Sequence, residues 1–259
     1  MMKNYRMSVI GKTLSGAVLM IALLVLPSLI ATSNSASSHP DYNMSAIAVV
    51  SRATDEAAAV EAEGNMLYEE MSLEGRGLTK EAFQNAFKGY KHLLNLGLVK
   101  KSNIISVADF SQSSRQKRLF ILDVDSHEVI MQTYVAHGRG SGDEYARSFS
   151  NTPESHKSSL GFYLTKGTYS GQHGLSLVLD GLEKGFNNNA EARKIVIHGA
   201  GYIGDRHLQS NPFTGRSHGC PAVASKLSKN IIQTIKDGSV LFIYHPTNAY
   251  LEGSRILNG

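Results

Sequence analysis

RLFILDVDSHEVIMQTYVA, residues 118–136, holds two short apolar runs separated by the polar pair Ser126-His127. The runs, Arg118 to Asp125 and Glu128 to Ala136, are rich in Ile, Val, Leu and Phe, and such a pair between them reads as a hairpin turn joining antiparallel strands. Ile104 to Phe110 is a similar run just before them. Further strand candidates follow at Gly161 to Leu164, Ser176 to Leu179, Lys194 to His198 and Ser239 to Tyr244. Thr79 can cap a helix whose Phe83, Ala86, Phe87, Tyr90, Leu93 and Leu94 recur at three- and four-residue steps before Gly97. A second helix, Ala224 to Lys236, gathers Leu227, Ile231, Ile232 and Ile235 on one face. Strands dominate and do not alternate regularly with helices. The expected fold is therefore α+β, a mostly antiparallel β domain with a preceding helical segment, rather than a doubly wound sheet.

Between these elements lie three Gly-rich, polar stretches, Gly138 to Ser159, Thr168 to Gly174 and Gly199 to Arg216, which read as long loops. Long loops inside a compact domain are usually functional. At the other end of the chain, Lys3, Arg6 and Lys12 precede an apolar run from Leu14 to Ala31 and then small polar residues to Ser37, the order of a secretory signal. At about 18 residues the run also sits at the lower limit for a spanning helix, so an uncleaved N-terminal anchor is the alternative. The formal charge is +4, but the first 33 residues carry three bases and no acid. Processing would leave a nearly neutral protein without the clustered bases and stacking aromatics that nucleic acid requires, and nucleic acid is dropped as a partner.

Cys220 is the only cysteine. Exported chains that use cysteine for stability carry it in pairs, so this thiol can staple nothing within its own chain. It is a reactive group, a small buried residue or one half of an intermolecular disulfide. As a nucleophile it needs a base to move a proton and donors to hold an oxyanion. His198 closes the strand Lys194-Ile195-Val196-Ile197, and the 22 residues from it to Cys220 span a loop that could bring the two together. Alone, such a histidine is more often a satisfied structural residue. In Ser217-His218-Gly219-Cys220, Gly219 lets the backbone turn so that amides near the thiol converge on a carbonyl oxygen, and Pro221 fixes the chain just beyond. His218 lines that pocket or serves as hydrogen-bonded scaffold. A competing reading takes His207, His218 and Cys220, with His198 or His173, as metal ligands, but the paired spacing of a structural zinc site is missing. No metal or organic cofactor is expected.

Ile197-His198-Gly199, a long loop and then Ser217-His218-Gly219-Cys220 resemble the signature of the L,D-transpeptidases, the YkuD-like cysteine enzymes of bacterial peptidoglycan. The segments 158–163 (SSLGFY), 169–174 (YSGQHG), 179–183 (LDGLE) and 215–217 (GRS) are similar to one branch, the murein L,D-transpeptidase catalytic domain family, and the likeness runs from Leu78 to Pro246. The resemblance implies that Cys220 is the nucleophile, that His198 accepts and donates the proton, and that the Gly199 carbonyl orients its ring. It also implies peptidoglycan stem peptides as substrate and a periplasmic or cell-envelope location. The chemistry implied is cross-linking through a thioester; hydrolysis of the same bonds and an inactive wall-binding protein are the alternatives. Arg216, Arg206 and Arg139 are candidates to hold a stem-peptide carboxylate. After the cysteine the better-known branch has an apolar residue and then Asn or Arg, whereas this chain has Pro221-Ala222. The organisation expected is a signal or anchor at 1–33, a polar, partly helical spacer at 34–77, a catalytic domain at 78–249 and a C-terminal tail at 250–259.

Overall fold

The hairpin at the heart of the sequence is formed by β2, Leu119–Asp123, and β3, Glu128–Thr133, paired antiparallel in a computed structural model that describes residues 44–259, with side chains from Thr54. The signal-type segment 1–33 lies outside the described residues. The turn is longer than Ser126-His127. Asp123 Oδ1 accepts the amides of Asp125 and Ser126, each at 3.0 Å, and His127 takes the left-handed conformation at φ +57°, so a four-residue loop replaces the expected pair.

Helix α1, Met44–Glu70, opens the described chain. Its C-terminal end and the following turn bury Leu67, Tyr68, Met71 and Leu73, so the segment read as a spacer supplies core residues before Leu78. Helix α2, Lys80–Asn95, begins where Thr79 caps the Ala82 amide through its hydroxyl at 3.3 Å. Its buried face, Phe83, Ala86, Phe87, Tyr90 and Leu93, packs on β1, Ile104–Asp109. The other strands are β4, Gly161–Gly171, β5, Gly174–Gly181, β6, Val196–Ala200, β7, Val223–Ala224, and β8, Val240–Tyr244. Helix α3, Asp205–Leu208, is a single turn, and α4, Ser225–Ile235, lays Ile231, Ile232 and Ile235 against β5 and β6.

The strands form one sheet in the order β3-β2-β1-β8-β4-β5-β6-β7. Five of the seven pairings are antiparallel; β1 with β8 and β6 with β7 are parallel. The ends of this order meet. Val135, just past β3, bridges Val223 of β7, and the Ala136 amide donates to the Ala222 carbonyl at 2.8 Å. The sheet thus curls into a barrel-like α+β domain, and its closing seam carries the cysteine motif.

Two segments depart from the sequence expectation. Thr168 to Gly174, read as a loop, belongs to the long arms of β4 and β5, which pair out to Gly171 and Gly174 around a Gln172-His173 tip. Residues 250–259, read as a tail, lie in two short helices, α5, Asn248–Gly253, and α6, Arg255–Asn258, that bury Tyr250, Ile256 and Leu257. The Glu183 carboxylate ties them down, accepting from the Phe162 amide at 2.8 Å, the Tyr250 hydroxyl at 2.9 Å and the Ser254 hydroxyl.

Candidate active site

Strand β6 delivers His198 to the rim of the sheet, in register with Ser176 of β5. The residue is buried, and Nδ1 lies 3.1 Å from the carbonyl oxygen of Gly199. A carbonyl can only accept, so Nδ1 carries the proton and Nε2 is left as the acceptor. Gly199 is required by close approach: a Cβ there would lie 2.7 Å from Ser228 Oγ and 3.0 Å from Ser225 Cα of α4. His173, at the hairpin tip, stacks on the His198 ring with centroids 4.4 Å apart and planes 22° apart. Burial lowers the pKa of His198, the Gly199 carbonyl opposes this, and the charge of His173 lowers it further.

The cysteine turn is built around the Ser217 hydroxyl. It accepts the Gly219 amide at 3.0 Å and donates to the Cys220 carbonyl at 2.6 Å, while the Ser217 amide donates to the His137 carbonyl at 3.0 Å. Gly219 sits at φ +123°, and a Cβ would stand 2.8 Å from the Lys157 carbonyl oxygen, so only glycine fits. The Gly219 amide donates to the Ser217 hydroxyl and the Cys220 amide lies against its own thiol, while the His218 amide has no hydrogen-bond acceptor among the described residues. His218 itself is exposed, with its ring 4.5 Å from that of His156.

Cys220 and His198 line the same cleft, of about 480 Å³, with Tyr169, His173, Tyr202 and Arg216 around them. The thiol donates to the Lys194 carbonyl at 3.6 Å. Burial pushes its pKa up, against the pull of the Val196 backbone and the nearby Arg193 guanidinium. That guanidinium is pinned by the Ser150 carbonyl at 2.7 Å, the Lys157 carbonyl at 2.6 Å and Ser159 Oγ at 2.8 Å. The cleft lining includes Arg193, Lys194 and Arg216 but no carboxylate. A larger groove, of about 760 Å³, runs between α1 and α2, away from the thiol and the imidazole pair.

Residues 74–244 match the family model of the L,D-transpeptidase catalytic domain. The chain belongs to that family. Among solved structures it is similar to an LD transpeptidase in complex with imipenem, at 12% identity over 55% of this chain and 59% of that one, with a TM-score of 0.34. An L,D-transpeptidase from Mycobacterium smegmatis is 11% identical over 55% and 59%, TM-score 0.33, and one from Stackebrandtia nassauensis is 15% identical over 73% and 77%, TM-score 0.32. The chain thus spans 59% of the first two. No curated protein sequence matches it.

Within this L,D-transpeptidase domain the remaining candidates divide. Arg216 reaches the Gly142 carbonyl at 3.1 Å, pairs with Asp143 and shares a second pocket of about 350 Å³ with Arg139 and His207. Arg206 is exposed on α3 and lines neither pocket. His207 hydrogen-bonds Asn211 there, apart from Cys220, and no three His, Cys, Asp or Glu side chains among the described residues gather as metal ligands. Ala222 is buried against Ala136 and Ala200, so the position where the better-known branch carries a long polar side chain here fills a small-residue cluster.

Sequence reasoning missed the support behind the turn. Arg118, fully buried over the Phe110 ring, donates to the Val135 carbonyl at 3.0 Å, the Gln112 carbonyl at 2.7 Å and His137 Nδ1 at 2.7 Å. His137 then donates from Nε2 to the Gly142 carbonyl at 3.2 Å. Burial and the Arg118 charge lower its pKa to about 4, and its own carbonyl holds the Ser217 amide. The available signal was His137-Gly138, the same dipeptide as His198-Gly199, following the second run of a hairpin whose first run a lone arginine opens.

Proposed function

We propose that this domain is a cysteine-dependent acyltransferase of the cell envelope, exported through residues 1–33, that cross-links peptidoglycan stem peptides. The observation that carries this reading is the cleft shared by Cys220 and a His198 whose Nε2 is free to accept a proton. With substrate bound, His198 Nε2 takes the thiol proton and the thiolate attacks the carbonyl of an L,D-peptide bond beside a diamino acid. The amides of His218 and Cys220 receive the oxyanion, with Ser217 and Gly219 holding their turn. The imidazolium returns its proton to the departing D-amino acid, leaving a thioester. The amine of a second stem, deprotonated by His198, then displaces Cys220 and forms the cross-link. Arg216, which lines the cleft, and Arg139, which shares the neighbouring pocket with it, are the candidates to hold a carboxylate of the peptide, and the cleft without acids suits such an anionic chain. Arg206 has no part in this reading.

The test is incubation of the purified protein with disaccharide tetrapeptides, the products identified by mass. Cross-linked dimers are expected, and Cys220→Ala should abolish them. Tripeptide monomers alone would make the domain a hydrolase of the same bonds. Neither product, with retention on sacculi, would leave only a wall-binding protein.

A further inference from the structure

The catalytic reading uses one face of the His198 ring environment and leaves the histidine stacked on it without a task. His173 occupies the two-residue tip between Gly171 of β4 and Gly174 of β5, and β5 is itself hydrogen-bonded to β6 through Ser176 and His198. The hairpin arm therefore runs beside the strand that carries His198, and its tip folds over the ring. Centroids 4.4 Å apart and planes 22° apart are the geometry of an aromatic stack. A single hydrogen bond, from Nδ1 to the Gly199 carbonyl, fixes one edge of the His198 ring and leaves a freedom of tilt that only groups packed on its faces can limit. A second ring laid on its face removes this freedom.

We propose that His173 is a positioning residue, which clamps the plane of the His198 ring from the hairpin tip so that Nε2 is held facing the cleft that it shares with Cys220. The proposal rests on the catalytic reading of Cys220 and His198. The flat ring is what matters, because stacking and exclusion of water from the covered face require only an aromatic of similar size. The ionisable groups sharing the cleft are Tyr169 on the same hairpin, Arg193 and Lys194 before β6, Tyr202 after it, Arg216, His218 and Cys220. Among them all, His173 is the one whose charge bears on His198, and its cover adds to the burial that lowers that ring's pKa.

The experiment compares the wild type, His173→Ala and His173→Phe by two readouts. One is kcat and KM for transfer across pH; the other is titration of the His198 ring by NMR without substrate. In His173→Ala, kcat should fall roughly tenfold with KM little changed, and His198 should titrate closer to the ordinary imidazole value. His173→Phe should return kcat to within about threefold of wild type and move the titration back down. If alanine changes neither readout, or if phenylalanine fails as alanine does, the clamp is refuted. Were no protein to transfer at all, the catalytic reading would fall, while the His198 titration would still decide whether the stack exists.

Discussion

Burial pushes the Cys220 thiol up and the His198 imidazole down, so near neutral pH both groups stand uncharged in the free protein. In the proposed mechanism proton transfer then waits for substrate, and activity requires the neutral ring. As pH falls, activity is lost only when His198 takes up a proton, and its lowered pKa moves that loss below the ordinary imidazole value of about 6.5. The acid limb of kcat/KM should accordingly lie below 6.5; a limb above it would contradict the buried, stacked environment. His198→Gln keeps the bulk of the ring but offers no base, and kcat is expected to fall about 10²–10⁴-fold with the fold intact by circular dichroism. That Cys220 and His198 share a cleft was legible in the sequence, from a lone thiol and a strand-end histidine separated by a loop long enough to bring them together. The buried Arg118–His137 support was not, since its partners are backbone carbonyls, which no side-chain pattern reveals.

The cysteine turn and the β4–β5 hairpin show where element-level reading succeeds and where it stops. Helices α2 and α4 follow their apolar periodicity closely because each buries one face on the sheet. The arms of β4 and β5 escaped detection because residues 166–170 are exposed, so no apolar alternation marks a chain that pairs without covering a core. Barrel closure through Val135 and Val223 escaped for a different reason: it joins segments nearly ninety positions apart through a single backbone bridge. The turn itself makes a sharp test. Gly219→Ala meets both an unfavourable φ of +123° and the Lys157 carbonyl, which together should cost about 1–3 kcal/mol and displace Cys220. Activity should drop at least tenfold, and alkylation of the only thiol by iodoacetamide should change in rate; wild-type values for both would show that the turn tolerates a side chain.

At the scale of the molecule, two buried polar sites tie the sheet to its surroundings. Glu183 joins the C-terminal helices to β4, accepting from the Tyr250 and Ser254 hydroxyls and from the Phe162 amide, and Glu183→Ala leaves these three donors without their acceptor, a loss of about 3 kcal/mol that should appear in urea unfolding and as early proteolysis after residue 247. His137 links stability to pH. Its folded pKa of about 4 lies below the ordinary imidazole value, so between those limits the unfolded chain binds the proton that the native state refuses. Stability should therefore fall by about 3 kcal/mol as pH drops from 7 to 4, and His137→Gln should flatten that slope even if it lowers the plateau. An equal slope in both proteins would place the acid sensitivity elsewhere. The central claim, a thioester on Cys220, is reached most directly by intact-protein mass spectrometry after mixing the protein with a tetrapeptide donor and no acceptor. The expected result is a mass increase equal to the donor acyl group, mapped to the peptide containing Cys220 and missing in Cys220→Ala. Cross-linked product formed by Cys220→Ala, with no adduct on the wild type, would contradict it.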